Sequence, residues 1–161
     1  PPTATPGAVS ITVDASGGTL VYPLTNGGSV TLAVPPQAVS HAVTLRMNHA
    51  QPPAPAPMLG GVFTSFFIVT VVEGGGQTIP NSFHFDLPAN LHIRYLDAGM
   101  TPTLEEKLGL FMFDVGTMAW QPAACGEVQH DVANNEITAP ICDVAIFGVF
   151  VASPPISTVM P

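Results

Sequence analysis

The chain has 161 residues, of which 47% are apolar and only 9% charged, with a mean hydropathy of +0.41. That length suits one core burying roughly 70% of the unfolded surface, and the composition is far too apolar for a disordered chain. Three basic residues (Arg46, Arg94, Lys107) against eleven acidic ones leave a net charge of −8, which excludes the cationic footprint that nucleic acid or an anionic membrane surface requires.

Residues 1–8 form a Pro/Thr-rich leader, a composition that favours extended polyproline II and reads as the end of a stalk. Alternation then predicts a strand over Val9–Val13, with Ala15-Ser16-Gly17-Gly18 as the turn into a second strand, Thr19–Tyr22. A turn at Thr25-Asn26-Gly27-Gly28 precedes a strand over Ser29–Val34, which Pro35-Pro36 must end because proline donates no ladder hydrogen bond. Val43–Asn48 follows as a strand. Gln51–Pro57 holds four prolines in seven residues, a density no ladder tolerates, so it is read as a loop crossing between sheets.

Phe63–Val72 is long and β-branched and reads as a central strand, followed by a turn at 73–77. No apolar run reaches the roughly 20 residues of a membrane-spanning helix, since Thr64, Ser65 and Thr70 interrupt this one. His84–Asp86 and Leu91–Tyr95 read as two strands about a bend at Pro88-Ala89-Asn90. Thr101–Lys107 is a polar connection with room for one helical turn, capped by Thr103.

Leu108–Val151 then supplies three or four closing strands, and a Pro/Ser/Thr-rich tail occupies residues 153–161. Apolar segments broken by Gly, Pro and Asn at intervals of about eight to twelve residues predict an all-β fold, an antiparallel β-sandwich without substantial helix, in one domain over residues 9–152. Cys125 and Cys142 are the only cysteines. They are read as a disulfide closing a loop worth about 3 kcal/mol, in preference to free thiols or a metal site.

Other polar residues have ordinary explanations. A hairpin about Pro88 would bring His84 and His92 together, with Asp86 on the His84 face, but spacing does not enforce the convergence a metal needs; solvated strand faces suffice. Asp131, Asn134 and Asn135 lack the carboxylate density of a calcium loop, and Asn is at home in a turn with positive φ. No Gly-x-Ser-x-Gly elbow exposes a nucleophile. The reading therefore assigns no catalytic, cofactor-binding or metal-binding residue and no cofactor. Trp120 reads as a core residue or end plug, with a ligand-stacking platform as the alternative; Tyr22 and Tyr95 are the other aromatic residues that could supply one.

The order of several short segments resembles the ZU-type β-sandwich domain of netrin receptors, ankyrins, tight-junction scaffolds and bacterial cell-surface proteins. The matching pieces are Gly17-Gly18-Thr19-Leu20, then Val30–Val39, whose Pro35-Pro36-Gln37-Ala38-Val39 stands against the family's Pro-Pro-Gly-Ala-Leu turn. Phe85–Tyr95, Leu108–Asp114, Trp120-Gln121-Pro122 and Asn135–Ala139 continue the order. Some members of that family cleave themselves at a His-Phe-Ser triplet before the last strand. Here the corresponding residues are Ile141-Cys142-Asp143-Val144-Ala145, with neither His nor Ser, so self-cleavage is not expected.

These readings imply a non-enzymatic extracellular or cell-surface module, structural, adhesive or filament-forming, with further copies of itself or other cell-surface proteins as partners. Val9–Val13 could pair within its own domain or add to an open sheet edge of the next subunit. The alternative is a carbohydrate- or small-ligand-binding module of a larger secreted enzyme.

Overall fold

The computed structural model describes residues 7–24, 27–58, 63–73, 76–77, 83–96 and 100–152. In chain order the strands are β1 (Val9–Val13), β2 (Gly18–Pro23), β3 (Ser29–Val34), β4 (Val43–His49), β5 (Ser65–Glu73), β6 (Gly76–Gln77) and β7 (His84–Arg94). After one helical turn, α1 (Pro102–Glu105), come β8 (Leu108–Asp114), β9 (Ala119–Pro122), β10 (Gln129–Asp131), β11 (Glu136–Asp143) and β12 (Ile146–Val151). Two antiparallel sheets result. The first runs β1-β4-β5-β12-β8-β9 with β6 on β5, and the second runs β10-β11-β7-β3-β2.

The core between the sheets follows from period-two alternation. In the second sheet Val30, Leu32 and Val34 of β3 and Leu91 and Ile93 of β7 are buried, and so are Ile137, Ala139 and Ile141 of β11. Opposite them lie Leu45 and Met47 of β4, Phe67, Val69 and Val71 of β5, and Phe147, Val149 and Val151 of β12. Phe67 and Phe147 face each other across the β5–β12 pair with ring centroids 5.6 Å apart. Burial pushes the Tyr22 phenol above its ordinary pKa, with the His49 backbone a weaker opposing influence.

Val9–Val13 is paired within its own chain, antiparallel to β4 from Val9↔Met47 to Val13↔Val43. The chain then changes sheets through a tight turn: Gly17 N–H donates to the Asp14 carbonyl at 2.9 Å, and the Asp14 carboxylate accepts from the Ser16 amide and hydroxyl. These bonds, the hydroxyl first, hold the Asp14 carboxyl below its usual pKa. Gly17 has φ +82°, and a Cβ there would strike the Val34 carbonyl oxygen, so only glycine fits.

The next turn packs against this one. Gln37 N–H donates to the Ala15 carbonyl at 2.8 Å, and Ala38 N–H closes on the Pro35 carbonyl at 3.3 Å. Gln37 carries φ 70° at the position where a type II turn prefers glycine. An L-residue in the left-handed region costs about 1–2 kcal/mol, while glycine costs about 0.5–1 kcal/mol in unfolded-state entropy. Gln37→Gly is therefore expected to stabilise the fold by about 0.5–1 kcal/mol and raise the melting temperature by about 1–4 °C. A thermal melt showing an unchanged or lower midpoint contradicts this.

Five expectations need correction. The loop at Gln51–Pro57 does not cross between sheets, since β4 and β5, which it joins, are paired neighbours in the first sheet. Residues 84–94 form one strand, not two about a bend. Pro88 is tolerated because it sits where the β7–β11 register shifts, between Ala89↔Ile141 and His84↔Asp143, and beyond the stretch paired to β3. The helical turn is capped by Thr101, whose Oγ1 accepts from Leu104 N–H at 3.2 Å, not by Thr103. The closing region contains five strands rather than three or four. Finally, Gly76–Gln77, expected within a turn, pairs with Val72 and Glu73 as β6. The leader residues 1–6, the tail 153–161, and Thr25-Asn26 of the second turn lie outside the described residues.

The registers also orient the chain ends. Val9 lies level with Val69 through Met47, and β1 runs from there toward Val13, whereas β12 runs oppositely from Ile146, beside Ile68, to Val149, beside Ser65. The exit from β12 thus lies toward one end of the sandwich and the Asp14–Gly17 turn toward the other, with Val9 and Asp114, both level with Val69, between them.

Candidate functional site

β5, β8 and β12 are apolar on both faces, and the second face is where the structure departs most from an ordinary sandwich. Leu108, Leu110 and Met112 of β8 point to the core, so Gly109, Phe111 and Phe113 point outward. By the same alternation Phe66 of β5 and Gly148 and Phe150 of β12 face outward, and Trp120, paired opposite Phe113, joins them from β9.

These rings form a second cluster on the outer face of the first sheet. Phe111 stacks on Phe150 with centroids 4.2 Å apart and planes 11° apart. Trp120 meets Phe113 and Phe150 edge-on at 5.4 and 5.9 Å, and tilts against Phe66 at 5.5 Å. Gly148 lies opposite Phe66 and Phe111 in the ladders. A Cβ at Gly148 would lie 2.9 Å from both the Phe150 and Phe66 rings; its absence lets the aromatic rings lie down on the strand.

Phe113 and Phe150 are fully buried although they lie outside the inter-sheet core. The proline-rich segment 51–58 is a strap over this face. The Trp120 indole N–H donates to the Ala54 carbonyl at 3.1 Å, and the strap's end is pinned where Met58 bridges Ala152. Trp120 is thus neither inter-sheet core nor end plug, and its donor edge is engaged by the chain itself. Tyr22 and Tyr95 are in the core, at 1% and 2% exposure, so neither offers a stacking surface.

Cys125 and Cys142 are joined as a disulfide with Cα atoms 6.0 Å apart. Cys125 lies just after the chain leaves β9 in the first sheet, and its N–H donates to the Pro140 carbonyl of β11 in the second at 2.9 Å. The bond thereby staples the crossing between sheets to β11, beside the β7–β11 irregularity. Bonding of Cys142 removes the only thiol that could act at 141–144. The chain is expected to stay whole there: a denaturing gel should show one band, and a break near Cys142 that disappears in Cys142→Ala is the contrary result.

The histidines do not converge. His84 and His92 lie on the same strand, eight residues and roughly 26 Å apart. His84 Nδ1 lies 2.7 Å from Asp143 Oδ1, and His92 Nδ1 lies 2.9 Å from Thr138 Oγ1. Arg94 adds a third cross-strand pair, donating to Glu136 Oε1 at 3.1 Å. Asp86 is exposed, and its N–H donates to the Ala38 carbonyl at 2.7 Å. These are solvated pairs on the outer face of the second sheet, each contributing no more than about 1 kcal/mol. Among the described residues no group of three or more His, Cys, Asp or Glu is placed to hold a metal.

Asp131 accepts from the Asn134 amide N–H at 3.2 Å and side chain at 2.8 Å, and so caps a 3-10 turn, Val132–Asn134. Asn135 ends that turn at φ 56°, the conformation expected of Asn here. Tyr95 O–H donates to the buried carboxylate of Glu105 at 3.0 Å. The Asn135 amide, in the orientation that satisfies its neighbours, donates to the same oxygen at 3.0 Å. This clasp of α1, β7 and the β10–β11 turn was missed by sequence reasoning, because nothing in the spacing of Tyr95, Glu105 and Asn135 marks them as partners. Beside it lies an open depression of about 410 Å³ lined by residues including Gly27, Arg94, Leu96 and Asn134.

No model of a known protein family matches the chain, and no curated protein matches it either.

Proposed function

We propose that this chain is a non-enzymatic structural or adhesive module of an extracellular surface or filament. The observation that carries the proposal is the use of its aromatic residues: Trp120 is half-buried among phenylalanine rings with its indole N–H bonded to the Ala54 carbonyl, and Tyr22 and Tyr95 are buried, which leaves none of them as a fully exposed platform for a sugar ring. The disulfide adds support for an oxidising compartment, and no helix among the described residues is long and apolar enough to cross a membrane. Val115 and Met118, in the turn between β8 and β9, are exposed apolar side chains, which a contact with a neighbouring module would bury. The glutamine at the family's glycine position adopts the positive φ that such a turn requires, which supports a ZU-type domain as the parent fold.

The depression beside Arg94 favours the second reading, a small-ligand-binding module, because it combines a guanidinium, amide groups and an apolar wall. Depletion from solution by insoluble polysaccharides, together with sedimentation of the pure chain, tests the two. Association that rises with concentration and no depletion is expected. Depletion by a polysaccharide that is lost in Arg94→Ala overturns the structural reading in favour of the second.

A further inference from the structure

Charge is spread unevenly along the chain, and the fold gathers an uncharged part of it on one side. Asp14 is the only Asp, Glu, Lys or Arg between Pro1 and Leu45, a stretch that contains β1, β2 and β3. β1 and β2 are edge strands of the first and second sheets, joined by the Asp14–Gly17 turn and in contact with each other. One side of the sandwich therefore carries two edges without charge. The opposite side is edged by β9 and β10, where Pro122 ends one strand, Asp131 stands in the other and the disulfide-tied crossing runs between them. Proline and charge are the usual protection of an edge against a further strand.

Of the two uncharged edges, β2 has the groups to take such a strand. Leu24 N–H donates to the Gly28 carbonyl at 2.8 Å, so the backbone groups of Leu24 point at β3. Alternation along the antiparallel ladder then turns those of Leu20 and Tyr22 toward β3 and those of Thr19, Val21 and Pro23 outward. The same three residues are exposed, Val21 at 55%. Among the described residues no strand pairs with β2 on that side.

We propose that the β2 edge is an interaction surface, and that its partner is the β2 edge of a second copy, paired antiparallel about a two-fold axis at Val21. The inference rests on the self-association proposed above and names the surface that carries it. In this register each Val21 N–H meets the other Val21 carbonyl, and each Thr19 N–H meets the carbonyl of Pro23 in the second copy. Proline, which has no N–H to give, supplies only its oxygen. The exposed valines stand opposite each other as a β-branched cross-strand pair, and the two second sheets become one. Charge selects the second copy as the occupant. At a net charge of −8 two copies repel wherever their acidic residues meet, and the β1–β2 side is where they approach without opposing like charges. A basic partner would be drawn to the acidic residues elsewhere.

One strand of six residues is a small interface, so association is weak and is read by sedimentation equilibrium at high concentration. Val21→Lys sets two ammonium groups opposite each other at the axis and is expected to weaken association at least tenfold with an unchanged melting midpoint, because Val21 faces solvent. The substitution also reduces the net negative charge, so general repulsion cannot account for the loss. Val21→Cys gives a second readout, which stands even if Val21→Lys fails to fold. Paired at the axis, the introduced thiols sit on Cα atoms about 5.5 Å apart, within reach of a disulfide, and mild copper-catalysed oxidation should link the chains as dimers on a non-reducing gel. Thr19→Cys, which faces Pro23 of the other copy, should stay unlinked. Equal association of Val21→Lys and the intact chain, absence of linkage at position 21, or equal linkage at 19 and 21 overturns the proposal and leaves self-association to another surface. An intact chain that is monomeric at all concentrations overturns both this surface and the reading on which it rests.

Discussion

Replacing Cys125 and Cys142 together by serine is expected to lower stability by about 3 kcal/mol, the loop-closure entropy that a staple of this span removes from the unfolded chain. For a domain of this size that corresponds to a fall in melting temperature of about 6–12 °C. The position of the bond makes the loss concrete. Between β9 and β10 the chain crosses from the first sheet to the second, and the backbone tie recorded at Cys125 itself is its N–H to the Pro140 carbonyl. Without the disulfide that crossing depends on short strands, since β10 contributes only Gln129–Asp131 and all three residues are exposed. β10 is therefore expected to lose protection in hydrogen exchange before the rest of the second sheet. Intact-mass analysis should show the untreated chain gaining two hydrogens on reduction. Two freely alkylated thiols in unreduced protein, or a double-serine variant melting at the wild-type temperature, contradicts the prediction.

The strands were legible wherever one face is wet. Val9–Val13 and Ser29–Val34 alternate cleanly and the structure forms both at those bounds, because a half-buried antiparallel strand writes its orientation into every second residue. The cysteine pair was legible from its isolation. What escaped was set by tertiary context. Pro88 reads as a break, yet the strand passes through it because the register shift on β11 removes the demand for its missing N–H. The cap moved from Thr103 to Thr101 because Pro102 at the first helical position leaves the preceding threonine to accept the orphan amide.

The outer cluster was half legible. Phe147, Gly148, Val149 and Phe150 leave no polar position for a wet face, which is the signature of a strand buried on both sides. The signal lay in that continuity and in the glycines beside the phenylalanines. What covers the second face is set by the strap, whose place over Trp120 depends on a contact between residues 66 positions apart.

That two-sided burial carries the second large effect. Phe150→Ala is expected to cost about 3–5 kcal/mol, the range for a fully buried phenylalanine, although the residue points away from the core between the sheets. Its ring stacks on Phe111 and meets Phe66 and Trp120, and it is completely buried, so truncation leaves a cavity that three neighbouring rings cannot all close at once. Gly148 sharpens the argument, since the missing Cβ lets Phe66 and Phe150 approach the strand and a larger residue there would push both away. Against this, His92→Ala on the outer face of the second sheet removes one exposed partner of Thr138 and should change stability by no more than about 0.5 kcal/mol. Denaturant unfolding of the two variants measures the contrast directly. If they differ by less than about 1 kcal/mol, the aromatic face is an ordinary wet surface, and the strap over it is a passing loop with no packing to hold it down.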